Sequence, residues 1–163
     1  MSAAAPAAAY IGLGANLGDA RAALEAAVVE LTRLPGVLRL RASSTYRSAP
    51  VDAGGPDFFN AVAEVSTVLE PLALLDALQT IEVGFGRQRP FRHAPRTLDL
   101  DLLLHGNHVV ESARLVLPHP RLHQRAFVLW PLLELCPGLS HPRLGPLAAY
   151  VDGVSSQRIE RLA

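Results

Sequence analysis

Pro95-Arg96-Thr97-Leu98-Asp99-Leu100-Asp101-Leu102-Leu103-Leu104 sets two carboxylates two residues apart inside a run that is otherwise apolar and strand-like. Side chains alternate faces along a strand, so Asp99 and Asp101 are expected on one face and Leu98, Leu100 and Leu102 on the other. Two like charges side by side on a packed sheet are costly unless a cation lies between them. Mg²⁺ suits such a pair, because it dehydrates reluctantly and is commonly held by one or two carboxylates plus substrate phosphates. The bland alternative is an exposed strand edge on which both carboxylates are simply solvated.

Immediately upstream, Gly86 to Pro95 forms an irregular loop that carries Arg87, Arg89 and Arg92, with Arg96 directly after it. Guanidinium groups grip phosphate bidentately and stay charged in any pocket. Alone, such a loop is more often a solvated basic patch or a nonspecific anion site. Placed before a carboxylate pair, it points to Mg²⁺-polyphosphate chemistry. The chain has no lysine, all 15 basic residues being arginine, so a P-loop lysine and a Schiff base are excluded. Genomic composition is a sufficient cause of that bias.

Working outward, Tyr10 to Gly14 reads as a strand, and Asp19 to Leu34 as a helix with Leu24, Ala27, Val28, Leu31 and Leu34 on one face. Pro35-Gly36 stops it. Val37 to Tyr46 is predicted as a strand with one wet face, and a Gly/Pro/Asp-rich loop runs from Ser48 to Asp57. Phe59 to Val68 is the third strand, and Glu70-Pro71 opens a helix to about Val83. The Asp-x-Asp strand comes next, then a Gly106-Asn107 hairpin turn into Val109-Val110, then a helix from about Leu122 to Leu135. This order predicts an α+β fold with a ferredoxin-like βαββαβ core: an antiparallel sheet with helices packed on it, plus an extra C-terminal hairpin and helix. Beyond Cys136 the chain is rich in Pro and Gly and uninformative.

At 163 residues, half of them apolar, residues 1–163 fit one domain, with residues 1–9 a frayed Ala-rich tail. No stretch approaches the roughly 20 apolar residues that span a bilayer. A lone Cys136 excludes an internal disulfide and suits a reducing, cytoplasmic setting. Zero formal charge gives no global field toward nucleic acid or membrane. Gly12-Leu13-Gly14-Ala15-Asn16-Leu17-Gly18 meets neither the dinucleotide nor the P-loop fingerprint and reads as a strand-to-helix turn. His119 and His123 have a zinc-like spacing without further ligands. Phe58 and Asn60 either sandwich and read a flat heterocycle or close a strand.

Taken together, Tyr10 to Gly18, Tyr46-Arg47-Ser48-Ala49-Pro50-Val51, Pro56-Asp57-Phe58-Phe59-Asn60, Pro95 to Asp101 and Leu117-Pro118-His119-Pro120-Arg121 resemble one family in order and spacing over about Tyr10 to Pro137. It is the 6-hydroxymethyl-7,8-dihydropterin pyrophosphokinase family of folate biosynthesis. The resemblance implies transfer of pyrophosphate from ATP to the pterin hydroxymethyl group, with release of AMP and two Mg²⁺ ions bound by Asp99 and Asp101. It implies nucleotide contacts at Gln79, Glu82, Arg87, Arg89, Arg96, Leu102, Arg114, His119 and Arg125. It implies pterin contacts at Ser48, Ala49, Val51, Phe58, Asn60 and Phe127, the two aromatics stacking on opposite faces of the ring.

Arg87 and Arg96 are then the charges that stabilise the reacting phosphates, with Arg89, Arg92 and His93 in the loop that closes over them. His93 stands where some members carry Trp, and Pro120 where others carry Tyr. No residue stands out as a general base. The expected partners are ATP and the pterin, with no nucleic acid or membrane, for a monomer. The rivals are an ordinary γ-phosphoryl kinase and a non-catalytic nucleotide-binding ferredoxin-like module.

Overall fold

A computed structural model describes residues 5–16, 18–49, 56–85 and 98–162. Strand β1 runs over Ala7–Ala15, so Ala7 to Ala9 belong to the sheet rather than to a frayed tail. Ala7 pairs with Thr67, and Ala9 is fully buried, because small side chains suit a central strand pressed between two layers. Helix α1, Ala20–Thr32, starts where the Asp19 carboxylate accepts the Ala22 N–H at 3.1 Å. It buries Ala20, Leu24, Ala27 and Leu31, one per turn along a single face. Gly36, at φ +92°, supplies the left-handed turn into the next strand.

The predicted strand over Val37 to Tyr46 is two strands, β2 (Val37–Ala42) and β3 (Tyr46–Ser48). Between them Ser43 replaces ladder pairing with a side-chain bond: its backbone N–H reaches Val62 O at 2.8 Å while its Oγ accepts the Val62 N–H at 2.9 Å. β4 covers Phe58–Thr67, helix α2 Pro71–Phe85, and β5 Asp99–His105. Both β2 and β3 pair antiparallel with β4, which pairs with β1, which pairs with β5. This is the ferredoxin-like order, with β4 and β1 inside the sheet and β5 at an edge.

Gly106-Asn107 turns the chain as expected, but Val109-Val110 does not pair back onto β5. Instead β6 (Val110–Glu111) pairs with β7 (Val116–Leu117) as a separate small hairpin. Near this end of β5, the Leu103 carbonyl accepts the His119 N–H, and the Gly106 N–H goes to Ala8 O. The predicted helix from Leu122 to Leu135 is also divided. A 3₁₀ turn at Leu122–Gln124 precedes α3 (Ala126–Leu135), with Arg125 extended between them at φ −126°, ψ 118°.

After Cys136, where residue patterning predicts no element, come a short ladder of β8 (Ser140–His141) with β9 (Gly145–Pro146), two 3₁₀ turns, and β10 (Ile159–Arg161). β10 joins the main sheet beside β3. Among the described residues no helix is long and apolar enough to cross a membrane.

Two cores flank the sheet. α1 and α2 close one around Ile11, Leu13, Ala63, Val65, Leu98, Leu100 and Leu102. α3 and the C-terminal turns close the other around Tyr10, Val62, Leu103, Leu129 and Leu147. Glu134 fastens α3 to the sheet. Its carboxylate accepts from Tyr46 Oη at 2.6 Å and from the Ser44 N–H at 2.9 Å, with Arg161 3.9 Å away. Burial pushes its pKa up, but the Tyr46 and Ser44 bonds and the Arg161 charge outweigh that and hold it below 4.5.

Removing Glu134 strands a tyrosine hydroxyl on a residue only 6 % exposed, so Glu134→Ala is expected to cost about 2–3 kcal/mol in a denaturant titration. A carboxylate with a lowered folded pKa stabilises above its unfolded value. The advantage of the wild type over Glu134→Gln should therefore hold above pH 4.5 and vanish as pH falls through the lower folded value.

Candidate active site

The site begins with strand register. Gly14 pairs with Asn60 of β4 on one side and Asp99 of β5 on the other, and Gly12 pairs with Val62 and Asp101. Leu13, Ala15, Ala61, Leu98 and Leu100 all turn into the α1/α2 core. By alternation, Gly12, Gly14, Asn60, Asp99 and Asp101 share the opposite face. The expected division of carboxylates from leucines is what the sheet shows. A bulge opposite Tyr10 and Ile11 ends the alternation just past Asp101: Leu102 enters the first core, while Leu103 and Leu104 both enter the second. Asp99 is half-buried and Asp101 exposed at the mouth.

Ser48, Phe58 and Asn60 lie together. Ser48 pairs with Phe58 across the ladder, and Asn60 Nδ2 donates to Ser48 Oγ at 2.8 Å, both polar side chains being buried. α3 packs over β3 and β4, which puts Phe127 on the side of the sheet that carries these residues. Phe127 is half-buried, with the Arg125 guanidinium 5.4 Å above its ring. Ala49 comes directly after as an exposed residue, and Val51 lies outside the described residues.

The expected nucleotide contacts divide into two groups. His119 is tied to β5 through its N–H on Leu103 O, and its charge environment is set by Asp101, Arg125 and Arg121. Burial lowers its pKa below 6.5; Asp101 opposes that shift, and the two arginines add to it. Its Nδ1 accepts the Arg121 N–H at 3.2 Å, so the proton of the neutral ring sits on Nε2, which is left as a donor. Arg121, to which its sequence motif assigns no role, thereby joins the site.

The second group sits along the outer edge of β5 and on α2. Glu82 accepts the Leu100 N–H at 2.8 Å, and Arg114 reaches Asp76 at 2.6 Å and Gln79 at 3.1 Å. Leu102 is only 3 % exposed, so a nucleotide could meet its backbone but not its side chain. Arg87, Arg89, Arg92, His93 and Arg96 lie outside the described residues.

Among the described residues no group of three or more His, Cys, Asp or Glu side chains could cage a metal ion. Two carboxylates on one face without further protein ligands are the donor set of an ion that completes its shell with water and phosphate oxygens. That fits Mg²⁺.

A sheet face that sets an acidic pair beside a buried amide, with an aromatic on the helix above and basic groups close by, suits a phosphotransferase acting on a polar substrate. The sequence matches the family described as 7,8-dihydro-6-hydroxymethylpterin-pyrophosphokinase (HPPK) over residues 10–137, and the chain belongs to that family.

It is 44 % identical over 154 residues to the 2-amino-4-hydroxy-6-hydroxymethyldihydropteridine pyrophosphokinase of Pseudomonas aeruginosa, covering 94 % of this chain and 95 % of the relative. The enzyme of the same name from Haemophilus influenzae is 44 % identical over 155 residues, covering 94 % and 97 %. Among solved structures, wild-type Plasmodium falciparum HPPK-DHPS with SDX-DHP superposes with a TM-score of 0.72 at 16 % identity, which supports the fold. That match covers 92 % of this chain and 45 % of the Plasmodium chain.

The His119 environment sets a titration. In metal-free protein its NMR protonation midpoint should fall below 6.5, and Asp101→Asn should lower it further by removing the charge that raises it. A midpoint at or above 6.5 would contradict the burial described.

Proposed function

We propose that this chain transfers pyrophosphate from ATP to the hydroxymethyl group of 6-hydroxymethyl-7,8-dihydropterin, releasing AMP, as a step of folate biosynthesis. The single observation that carries this reading is the register Asn60–Gly14–Asp99, which puts a buried amide and a carboxylate pair on one open face. Family membership over residues 10–137 supports it. The chain is read as a cytoplasmic monomer, in keeping with its lone cysteine.

Asp99 and Asp101 would hold two Mg²⁺ ions together with ATP, and the metal would supply charge neutralisation on the phosphate oxygens. Everything else falls to the chain. Phe58 and Phe127 would stack on the two faces of the pterin, while Ser48 and Asn60 meet its polar edge. The pterin hydroxyl then attacks the β-phosphorus in line, and the bridging oxygen leaves with AMP. Charge develops on that oxygen and on the transferred group, where Arg87, Arg96, Arg125 and His119 would meet it as fixed donors without reorganising. Gln79, Glu82, Arg89 and Arg114, with the Leu102 backbone, would hold the nucleoside and outer phosphates. No side chain is assigned as general base: positioning brings the hydroxyl against the phosphorus, and its proton passes to water as the new O–P bond forms.

Incubation with ATP, Mg²⁺ and the pterin should give AMP and pterin diphosphate in equal amounts, whereas stoichiometric ADP would show γ-phosphoryl transfer and overturn the reading. Asp99→Ala and Asp101→Ala should each lower kcat by on the order of 10²-fold or more with thermal stability kept, since each removes a charge-binding group used in the transition state. Arg96→Ala should lower kcat more than it weakens ATP binding in single-turnover and titration measurements; equal losses would mark uniform binding instead.

A further inference from the structure

Gly14 occupies an interior strand of the sheet, paired on both sides, where glycine has the least to recommend it. Its backbone is not in the left-handed region; among the described glycines only Gly18, Gly36, Gly106 and Gly145 are. Glycine weakens a strand interior, and where conformation does not require it the usual reason is close approach of a ligand or another backbone. Among the described residues no other backbone approaches. A Cβ built on Gly14 would meet one atom, Asn60 Oδ1, at 3.4 Å, which is ordinary contact. The folded chain would tolerate a methyl group there.

Gly12, two residues earlier on the same face, gives the contrast: its Cβ would touch Leu103 side-chain carbons at 3.5 to 3.7 Å, so that space is already covered. Over Gly14 the described residues leave the space open, and it is bounded by chemistry. Asn60 is 4 % exposed and donates Nδ2 to Ser48 Oγ, while its Oδ1 faces this space with no donor meeting it among the described residues. On the other side stands Asp99. Two inter-strand spacings separate the two side chains, about 10 Å, and among the described residues it is the glycine that lies between them in the ladder.

We propose that Gly14 is a specificity-determining position: its missing side chain keeps a passage between Asn60 and Asp99 for the segment of substrate that joins the amide-recognised heterocycle to the metal-bound phosphate. This rests on the pyrophosphoryl-transfer reading and adds to it a residue that touches neither metal nor nucleotide. A Cβ at residue 14 would stand in the path of the hydroxymethyl arm and leave ATP binding alone.

Gly14→Ala, Gly12→Ala and wild type would be compared by steady-state kinetics, by titration with α,β-methylene-ATP and Mg²⁺, and by thermal unfolding. Gly14→Ala should raise the KM for the pterin tenfold or more, with nucleotide affinity and Tm unchanged, while Gly12→Ala keeps a pterin KM within twofold of wild type. A wild-type pterin KM in Gly14→Ala overturns the proposal. So does a loss of nucleotide affinity and Tm in step with pterin KM, which would make the glycine structural. A wild type that forms no AMP from ATP and pterin would instead remove the reaction assigned above, and it is seen before either variant is made.

Discussion

The molecule depends on one constraint, the unbroken two-residue alternation of β1, β4 and the start of β5 in mutual register. Ile11, Leu13, Ala15, Ala61, Ala63, Leu98 and Leu100 all turn toward α1 and α2, and burying them drives that half of the fold together. A slip of one residue in any of the three strands would send apolar side chains to the polar face and carboxylates into the core. The same burial that stabilises the sheet therefore aims Asn60, Asp99 and Asp101. The polar face costs no separate organisation.

The second core completes the arrangement from the other side. The bulge past Asp101 hands Leu103 and Leu104 together to the α3 layer, which closes that layer immediately beside the carboxylates rather than over them. His119 hangs from Leu103 by its backbone N–H, and Glu134 pins α3 to Ser44 and Tyr46. Phe127 and Arg125 are thus carried by a helix anchored at its far end, with the extended Arg125 marking the point where helix and site meet. Rigid supports of this kind are what a site that stabilises developing charge requires.

Much of this was legible in the sequence wherever one period dominated. The Asp99-x-Asp101 strand, the buried face of α1 and the extent of β4 and α2 emerge from alternation or helical spacing over seven or more residues. The misses share a different cause. Ser43 breaks one strand and Arg125 one helix through local backbone changes that leave no periodic trace. β10 is three residues long and is held by pairing with β3, more than a hundred residues away in sequence. Ala7 to Ala9 looked featureless because alanine in a crowded central strand resembles alanine in a tail. Gly12-x-Gly14 carried the same two-residue spacing as the carboxylates and could have been read as a shared face, but glycine in sequence suggests a turn first.

Electrostatics explains why a chain of zero formal charge can hold a polyanion. Arg41, Arg47, Arg114, Arg143 and Arg161 are each matched to Glu64, Glu160, Asp76, Glu111 and Glu134, mostly at exposed positions where such pairs contribute little to stability. Each such pair is neutral, and that of Arg114 with Asp76 lies among the expected nucleotide contacts. Arg121 and Arg125 take no carboxylate partner among the described residues, and both act on His119 beside Asp101. Their charge lies near Asp101, the carboxylate that also acts on His119. For the proposed reaction, a ligand bringing both metal cations and phosphate anions would meet both kinds of group at once, and neither a bare cation nor a bare anion would.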